Sequence, residues 1–250
     1  MHILITNDDG VTAPGLLALK QALDPLGKIT VVAPSRNYSA AGHRKTMHKP
    51  LRMDPTQLLD DSPAWVCSGA PSDCVALALL GFIKEKVDLV VSGINPHPNL
   101  GQDVTYSGTV TAAIEAAIAG VPGMAVSTEA QSLEEYAAAA GIAALIARLI
   151  ERHGLPANTL LNVNVPDVPI RGLRVTRQGW RVYRDALVER LDPRGKPYYW
   201  IGGEFPTGRA DEGTDFWALE QGYVSVTPLQ LDLTSYSVMP ALEGWFEAER

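Results

Sequence analysis

The chain opens MHILITNDDG. Ile3, Leu4 and Ile5 form an apolar run, and the polar cluster Asn7, Asp8, Asp9 and Gly10 follows at once. A short β-rich run that stops in polar residues and Gly reads as a buried strand feeding a loop. If that strand is parallel and central, its carboxyl end is where an open α/β sheet binds ligands. Two adjacent carboxylates there would repel each other in a partly buried site. Exposure to water, a shared proton or a bound cation would relieve the repulsion.

The chain after this loop supplies the rest of such a sheet. Residues 14–26 carry apolar side chains at helical spacing, with Pro14 suited to the first turn and Gly27 to the stop. Residues 28–34 (KITVVAP) are a β-branched strand, so the chain starts with a βαβ unit. A small polar loop at 35–43 contains Ser39, and two short strands are expected near 51–53 and 65–68. Residues 72–83 read as a helix with Ser72 as N-cap and Asp73 favourable to the dipole. A third strand at 87–92 ends in a polar loop, 93–101, holding Asn95 and Asn99.

Ser107, Gly108 and Thr109 then open a helix that continues through Val110, Ala113, Ile114, Ala117 and Ile118. Free backbone N–H groups and two hydroxyls at the positive end of a helix make a natural anion site. A fourth strand follows at 123–128. Ser132 and Glu135 form a capping box for a long helix ending at His153, and a fifth strand occupies 159–165. From 173 onward, strand-like pieces at 173–176, 182–183 and 198–201 are separated by Gly and Pro. Asp192, Pro193, Arg194 and Gly195 signal the turn of a hairpin; 223–228 is a last strand, and 241–249 a terminal helix.

The formal net charge of −7 argues against binding nucleic-acid polymers, which need a basic face, but not against a small phosphate ligand. Cys67 and Cys74 have neither zinc-ribbon spacing nor the numbers of a disulfide framework, and both read as reduced. The apolar stretch at 137–150 contains Gly141 and Arg148 and falls short of the ~20 residues of a membrane span. The first strand starts too early to leave room for a signal peptide, so the expected location is cytoplasmic. There is no G-x-G-x-x-G after a strand, no G-x-x-x-x-G-K-[ST] and no G-x-S-x-G.

In a parallel sheet, the loops bearing Asp8 and Asp9, Ser39, and Asn95 lie on one edge. Two carboxylates, a hydroxyl and an amide carbonyl are a hard-oxygen set suited to Mg²⁺ or Mn²⁺. With the anion seat at Ser107–Thr109 beside it, this is the minimal apparatus for phosphoester hydrolysis by metal-activated water. Asn7, Asn95, Asn99, Ser107, Gly108 and Thr109 are the candidate phosphate contacts, and Asp8 and Asp9 the candidate catalytic groups. The basic cluster of His43, Arg44, Lys45, His48, Lys49 and Arg52 reads as a solvated loop, with an electropositive lip for phosphate substrates as the alternative. Glu115 reads as a surface or packing-edge residue. The aromatics Tyr198, Tyr199, Trp200, Phe216 and Trp217 read as packing or an oligomer interface.

The sequence resembles the SurE survival-protein nucleotidases. The resemblance spans nearly the whole chain. It rests on ILITNDDG at 3–10, the Ser39 loop APSRNYSAAGH, VVSGIN at 90–95, NLG at 99–101 and YSGTV at 106–110. It continues with NVNVP at 162–166, TDFWAL at 214–219 and GYVSVTPLQLDLT at 222–234. It implies a single α/β domain over 1–250: a Rossmann-like three-layer core with a mostly parallel sheet at 1–170, then a C-terminal extension with a β-hairpin arm. It implies metal-dependent hydrolysis of nucleoside 5'- and 3'-monophosphates, one divalent cation per subunit on Asp8, Asp9, Ser39 and Asn95, anion contacts at Ser107, Gly108 and Thr109, and a homodimer or homotetramer. His97 stands between Pro96 and Pro98 where the family usually has Gly. A nucleotide-binding regulatory module without turnover, a broader phosphatase or exopolyphosphatase, and an aspartyl-phosphate mechanism are the competing readings. The last needs two acids one residue apart, which this loop lacks.

Overall fold

A computed structural model describes residues 1–129 and 135–249. The opening run is β1 (His2–Thr6), buried along its whole length. In chain order there follow α1 (Pro14–Leu23), β2 (Lys28–Pro34), β3 (Met53–Gln57), β4 (Pro63–Cys67), α2 (Pro71–Leu77) and β5 (Leu89–Asn95). Next come α3 (Gly108–Ile118), β6 (Gly123–Thr128), α4 (Tyr136–His153), β7 (Thr159–Val165) and β8 (Gly172–Val175). The chain ends with β9 (Trp180–Leu191), β10 (Pro197–Arg209), α5 (Asp215–Glu220), β11 (Tyr223–Gln230) and α6 (Met239–Ala248).

Nine strands form one sheet in the order β3-β4-β2-β1-β5-β6-β7-β11-β8. The run from β4 to β7 is parallel throughout, while β3 and β11 enter antiparallel to β4 and β7. Side chains alternate across β1 with the period of two that a strand imposes. Ile3 and Ile5 pack among Leu16 and Leu19 of α1 and Ala143 and Ala147 of α4. Leu4 faces the other way, onto Cys74 and Val75 of α2 and Ala112 and Ala116 of α3. Helices therefore cover both faces, giving the expected three-layer α/β core. The chain leaves β1 for β2 on one side and later returns to β5 on the other. This reversal puts a crevice beyond the carboxyl ends of β1 and β5, where doubly wound sheets bind ligands.

Several expectations shift in detail. The third strand starts later and runs longer than 87–92, so Asn95 ends β5 rather than sitting in a loop. The two short strands lie at Met53–Gln57 and Pro63–Cys67. The helix expected from Ser72 begins at Pro71 with Ala70 as N-cap, and it loosens into a π-turn over Ala78–Phe82. The Ser72 hydroxyl donates to the Arg44 carbonyl, while the Asp73 carboxylate accepts from the Ala70 backbone N–H at 2.9 Å. Asp73 thus reaches back to the cap as the acid of a capping box does, although Ala70 has no oxygen to reciprocate. Ser132 of the other expected box lies outside the described residues. Cys67 and Cys74 are both buried and free.

The separate strand pieces expected beyond 180 are one long antiparallel hairpin, β9 with β10, turning at Asp192–Gly195. It stands apart from the main sheet and exposes Leu187, Leu191, Trp200 and Ile201. Phe216 is buried at its root, whereas Trp245 and Phe246 of α6 are exposed. Among the described residues no helix is long and apolar enough to cross a membrane.

The crevice depends on α1 lying close against β5. A Cβ on Gly15 would fall 2.3 Å from the Ile94 carbonyl oxygen. Gly15→Ala should therefore overpack this contact and cost about 1–3 kcal/mol in urea denaturation. A variant as stable as the parent would show that α1 can move away without loss.

Candidate active site

The crevice holds a cavity of about 380 Å³ lined by Asp8, Asp9, Ser39, Asn95, Asn99 and Ser107, with Asp103, Tyr106 and Arg181 closing its sides. That volume lies in the range of small-ligand sites. A larger groove of about 880 Å³, beside α2 and α3, contains none of the strand-end oxygens, so size alone does not mark the chemistry.

Asp8 is the buried centre of the site. The Thr109 hydroxyl donates to its Oδ1 at 2.5 Å, and the Thr109 backbone also acts as a hydrogen-bond partner. The N-terminus of α3 is thus already holding an anion, the protein's own carboxylate. Gly108 makes this approach possible, because a Cβ there would lie 2.8 Å from the Asp8 Cβ. Burial pushes the Asp8 carboxyl above its ordinary range, and the bonds from Thr109 offset only part of that. Asp9, half-buried beside it, is pushed up to about 7 by burial and then by the charge of Asp8. Among the three ways of relieving the repulsion, full exposure to water is therefore not the one this fold uses.

The other loops are tied to this pair. The Tyr38 backbone N–H donates to the Asp8 carbonyl at 2.7 Å, which carries Ser39 to the cavity rim. The Asn37 side chain bridges the same loop, donating to Asp9 Oδ1 at 3.4 Å and accepting from the Ser39 N–H at 2.6 Å. Asn95 donates its Nδ2 to the His97 carbonyl, which leaves its Oδ1 as the free acceptor. His97 thus shapes the loop through its backbone, and the residue itself is exposed.

Asn99 is pinned from below. Its carbonyl accepts from Asn162 Nδ2 at 2.8 Å and Asn164 Nδ2 at 3.1 Å, and its own Nδ2 donates to Ser127 Oγ at 2.8 Å.

Not every candidate turns its side chain to the cavity. The Asn7 carboxamide is buried and closes the turn, donating to the Gly10 carbonyl and accepting from the Gly10 N–H. Ser107 lines the cavity, but its oxygen caps α3 by accepting from the Val110 N–H at 3.1 Å. Gly108 and Thr109 contact Asp8 rather than the open space. Glu115 is not a surface residue: it is buried and pairs with His43 Nε2 at 2.9 Å and Lys45 Nζ at 3.0 Å. Those two members of the basic cluster strap the Ser39 loop to α3 instead of lining the cavity. Asn37 and Tyr106 lie within the segments APSRNYSAAGH and YSGTV, whereas no local pattern marks Asp103 or Arg181.

The donor set fits a small hard cation. Among the described residues no three His, Cys, Asp or Glu side chains are grouped to hold a metal. Two carboxylates with a hydroxyl and an amide oxygen instead match the Mg²⁺ habit of using one or two carboxylates, water and substrate phosphate.

The family model described as "Survival protein SurE" matches residues 3–185. A protein of Chloroflexus aggregans named "5'-nucleotidase SurE" is 51% identical, the match covering 98% of this chain and 99% of the relative. One of the same name from Herpetosiphon aurantiacus is 52% identical over 94% of each. The crystal structure of the SurE protein from Aquifex aeolicus superposes with a TM-score of 0.82 at 42% identity, covering 98% of this chain and 99% of that one.

The raised Asp9 carboxyl carries a stability consequence. Folded Asp9 holds its proton up to about pH 7, whereas the ordinary value is 3.8. Between those values the folded state binds more protons than the unfolded state, so stability falls as pH rises. In chelator, Asp9→Asn should therefore stabilise the protein by about 1–3 kcal/mol at roughly pH 8, allowing for Asp9's partial exposure, and by little at about pH 4. Urea denaturation at the two pH values measures this, and an equal effect at both would contradict it.

Proposed function

We propose, from the premise that the chain belongs to the SurE survival-protein family, that it is a phosphoric monoester hydrolase of the 5'-nucleotidase type. Its substrates are nucleoside 5'- and 3'-monophosphates, cleaved to nucleoside and phosphate. The observation that carries this reading is that Asp8, Asp9, Ser39 and Asn95 line one cavity at the reversal point of the sheet. A divalent cation, Mg²⁺ or Mn²⁺, one per subunit, would be held by those four side chains. When bound, such an ion neutralises the paired carboxylates, polarises a phosphoryl oxygen and lowers the pKa of water.

The chain's own groups do the rest. Thr109 and the start of α3 keep Asp8 aimed and partly compensated in its buried position. Asn37 links Asp9 to the Ser39 loop. Asn95 offers an acceptor because His97 holds its amide nitrogen. Ser107 keeps a donor hydrogen while its oxygen caps the helix, and that hydrogen faces substrate in this reading. Asn99 forms the floor beneath the phosphate. The apolar side chains left open on the hairpin support a homodimer or homotetramer built through the arm. The two free buried thiols fit a cytoplasmic protein.

Phosphate release from AMP with added Mn²⁺, read beside isothermal titration of Mn²⁺, tests the central claim. Asp8→Asn and Asp9→Asn should each weaken Mn²⁺ binding and lower turnover by more than about a hundredfold, the scale that even second-shell changes reach. Full activity in chelator with no metal retained would refute the reading. Tight AMP binding without release would favour the regulatory module, and acid-stable labelled phosphate on the protein would favour an aspartyl-phosphate. Deleting 185–207 should lower the mass in solution; an unchanged oligomer with lost activity would make the arm a lid instead.

A further inference from the structure

The sides of the cavity are built by a segment far from the strand-end loops. Among the described residues that line it, Arg181 is the one Lys or Arg, and it comes from the root of β9. It is firmly placed. Its backbone N–H donates to Gln102 Oε1 at 2.7 Å, and its Nε lies 3.0 Å from Asp103 Oδ2. Its guanidinium carbon stands 5.5 Å from the centre of the buried Phe216 ring, within cation–π range. The Tyr183 hydroxyl donates to the other Asp103 oxygen at 2.6 Å. Phe216 itself fits because the hairpin carries glycine there: a Cβ on Gly208 would meet the ring at 2.1 Å, and one on Gly179 at 2.5 Å.

Such anchoring leaves the two terminal amino groups of Arg181 without a protein acceptor among the described residues. The side chain is only 19% exposed, so the guanidinium is held at the cavity wall instead of trailing in solvent. A guanidinium drawn to Asp103 by charge, with its buried Nε making no hydrogen bond and its terminal amino groups open, is suited to pairing with phosphate oxygens.

We infer that Arg181 is a substrate-binding residue that grips the phosphoryl group opposite the paired carboxylates, with Asp103 and Tyr183 as its positioning residues. The inference rests on the phosphomonoesterase reading above and adds to Ser107 a cationic phosphate contact, which Thr109, already holding Asp8, does not supply. It also gives the arm a second use, because the same strand that extends the hairpin delivers the cation. In this arrangement the phosphate meets positive charge from two sides, with Asp103 beside the guanidinium.

The test uses the full chain with Mn²⁺ present. Orthophosphate affinity is measured by isothermal titration, and KM and kcat are measured on AMP. Arg181→Ala should weaken orthophosphate binding and raise KM by about ten- to a hundredfold, the loss of a charge-assisted pair. Arg181→Lys should recover part of both, since charge returns without the fork. Asp103→Asn should raise KM less than Arg181→Ala does. Mn²⁺ affinity and mass in solution should stay at parent values in all three.

Orthophosphate affinity within twofold of the parent in Arg181→Ala would overturn the inference. So would a loss in Arg181→Lys as large as in Arg181→Ala and accompanied by a lower mass, which would make the residue an anchor of the arm. If the parent releases no phosphate from AMP, the nucleotidase reading falls, and the orthophosphate titration still decides the role of Arg181.

Discussion

A single contact, the Thr109 hydroxyl and backbone on the Asp8 carboxylate, joins the end of the central strand to the start of a helix. It places a formal negative charge at the positive end of α3 inside the protein. Burial of a charge without such partners would shift it to its neutral form. Here the helix end and the hydroxyl recover part of that cost, yet the carboxyl still stands above its usual range. Asp9 is raised by its own burial and then by the charge of Asp8 beside it. The fold has thus built a pair of acids that the polypeptide alone does not fully satisfy. A bound cation would complete the balance.

Holding such a pair in place takes a polar framework beneath it. Asn99 takes hydrogen bonds from Asn162 and Asn164 of β7 and gives one to Ser127 of β6. The Ser39 loop is fastened at Tyr38, at Glu115 and at Asp73, which accepts from both the backbone N–H and the hydroxyl of Thr46. Buried amides and carboxylates are costly unless paired, and here they are paired chiefly with backbone groups of the loops they shape, the Asn162 Oδ1 being left without a partner. Their specificity lies in the loop path, because an apolar replacement would fill the space without directing the chain.

Much of this was legible because parallel sheets obey a strong rule. Once β1 was read as buried and central, the loops of Asp8, Ser39 and Asn95 had to share an edge, and they line one cavity. The exceptions were of two physical kinds. Some side chains have two uses that sequence cannot separate. Ser107, Gly108 and Thr109 have the composition of an anion seat, but Gly108 and Thr109 are turned to Asp8 and only Ser107 lines the cavity; Asn7 looks like a ligand, but it closes its own turn. Ser72 looked like an N-cap because hydroxyls usually are, while Pro71 already occupied the first helical turn. Others depend on distant chain. Glu115 reads as a surface or packing-edge residue until the loop at 43–45 folds over it, and nothing near Arg181 in sequence announces that β9 passes the cavity.

That passage is enforced rather than incidental. Asp215, buried at the start of α5, accepts from the backbone N–H of Gly101, of Gly179 and of Phe216. One carboxylate therefore grips the cavity loop, the entry to the hairpin and its own helix together. Burial raises it, and the three backbone bonds work against that rise. Gln178 adds a bond to the Gly101 carbonyl, and Gln102 one to the Gly179 carbonyl, so the two segments are stitched in both directions. The hairpin root and the cavity wall are consequently one unit. The exposed apolar strands extend beyond this unit, whose cavity side carries the Arg181–Asp103 pair.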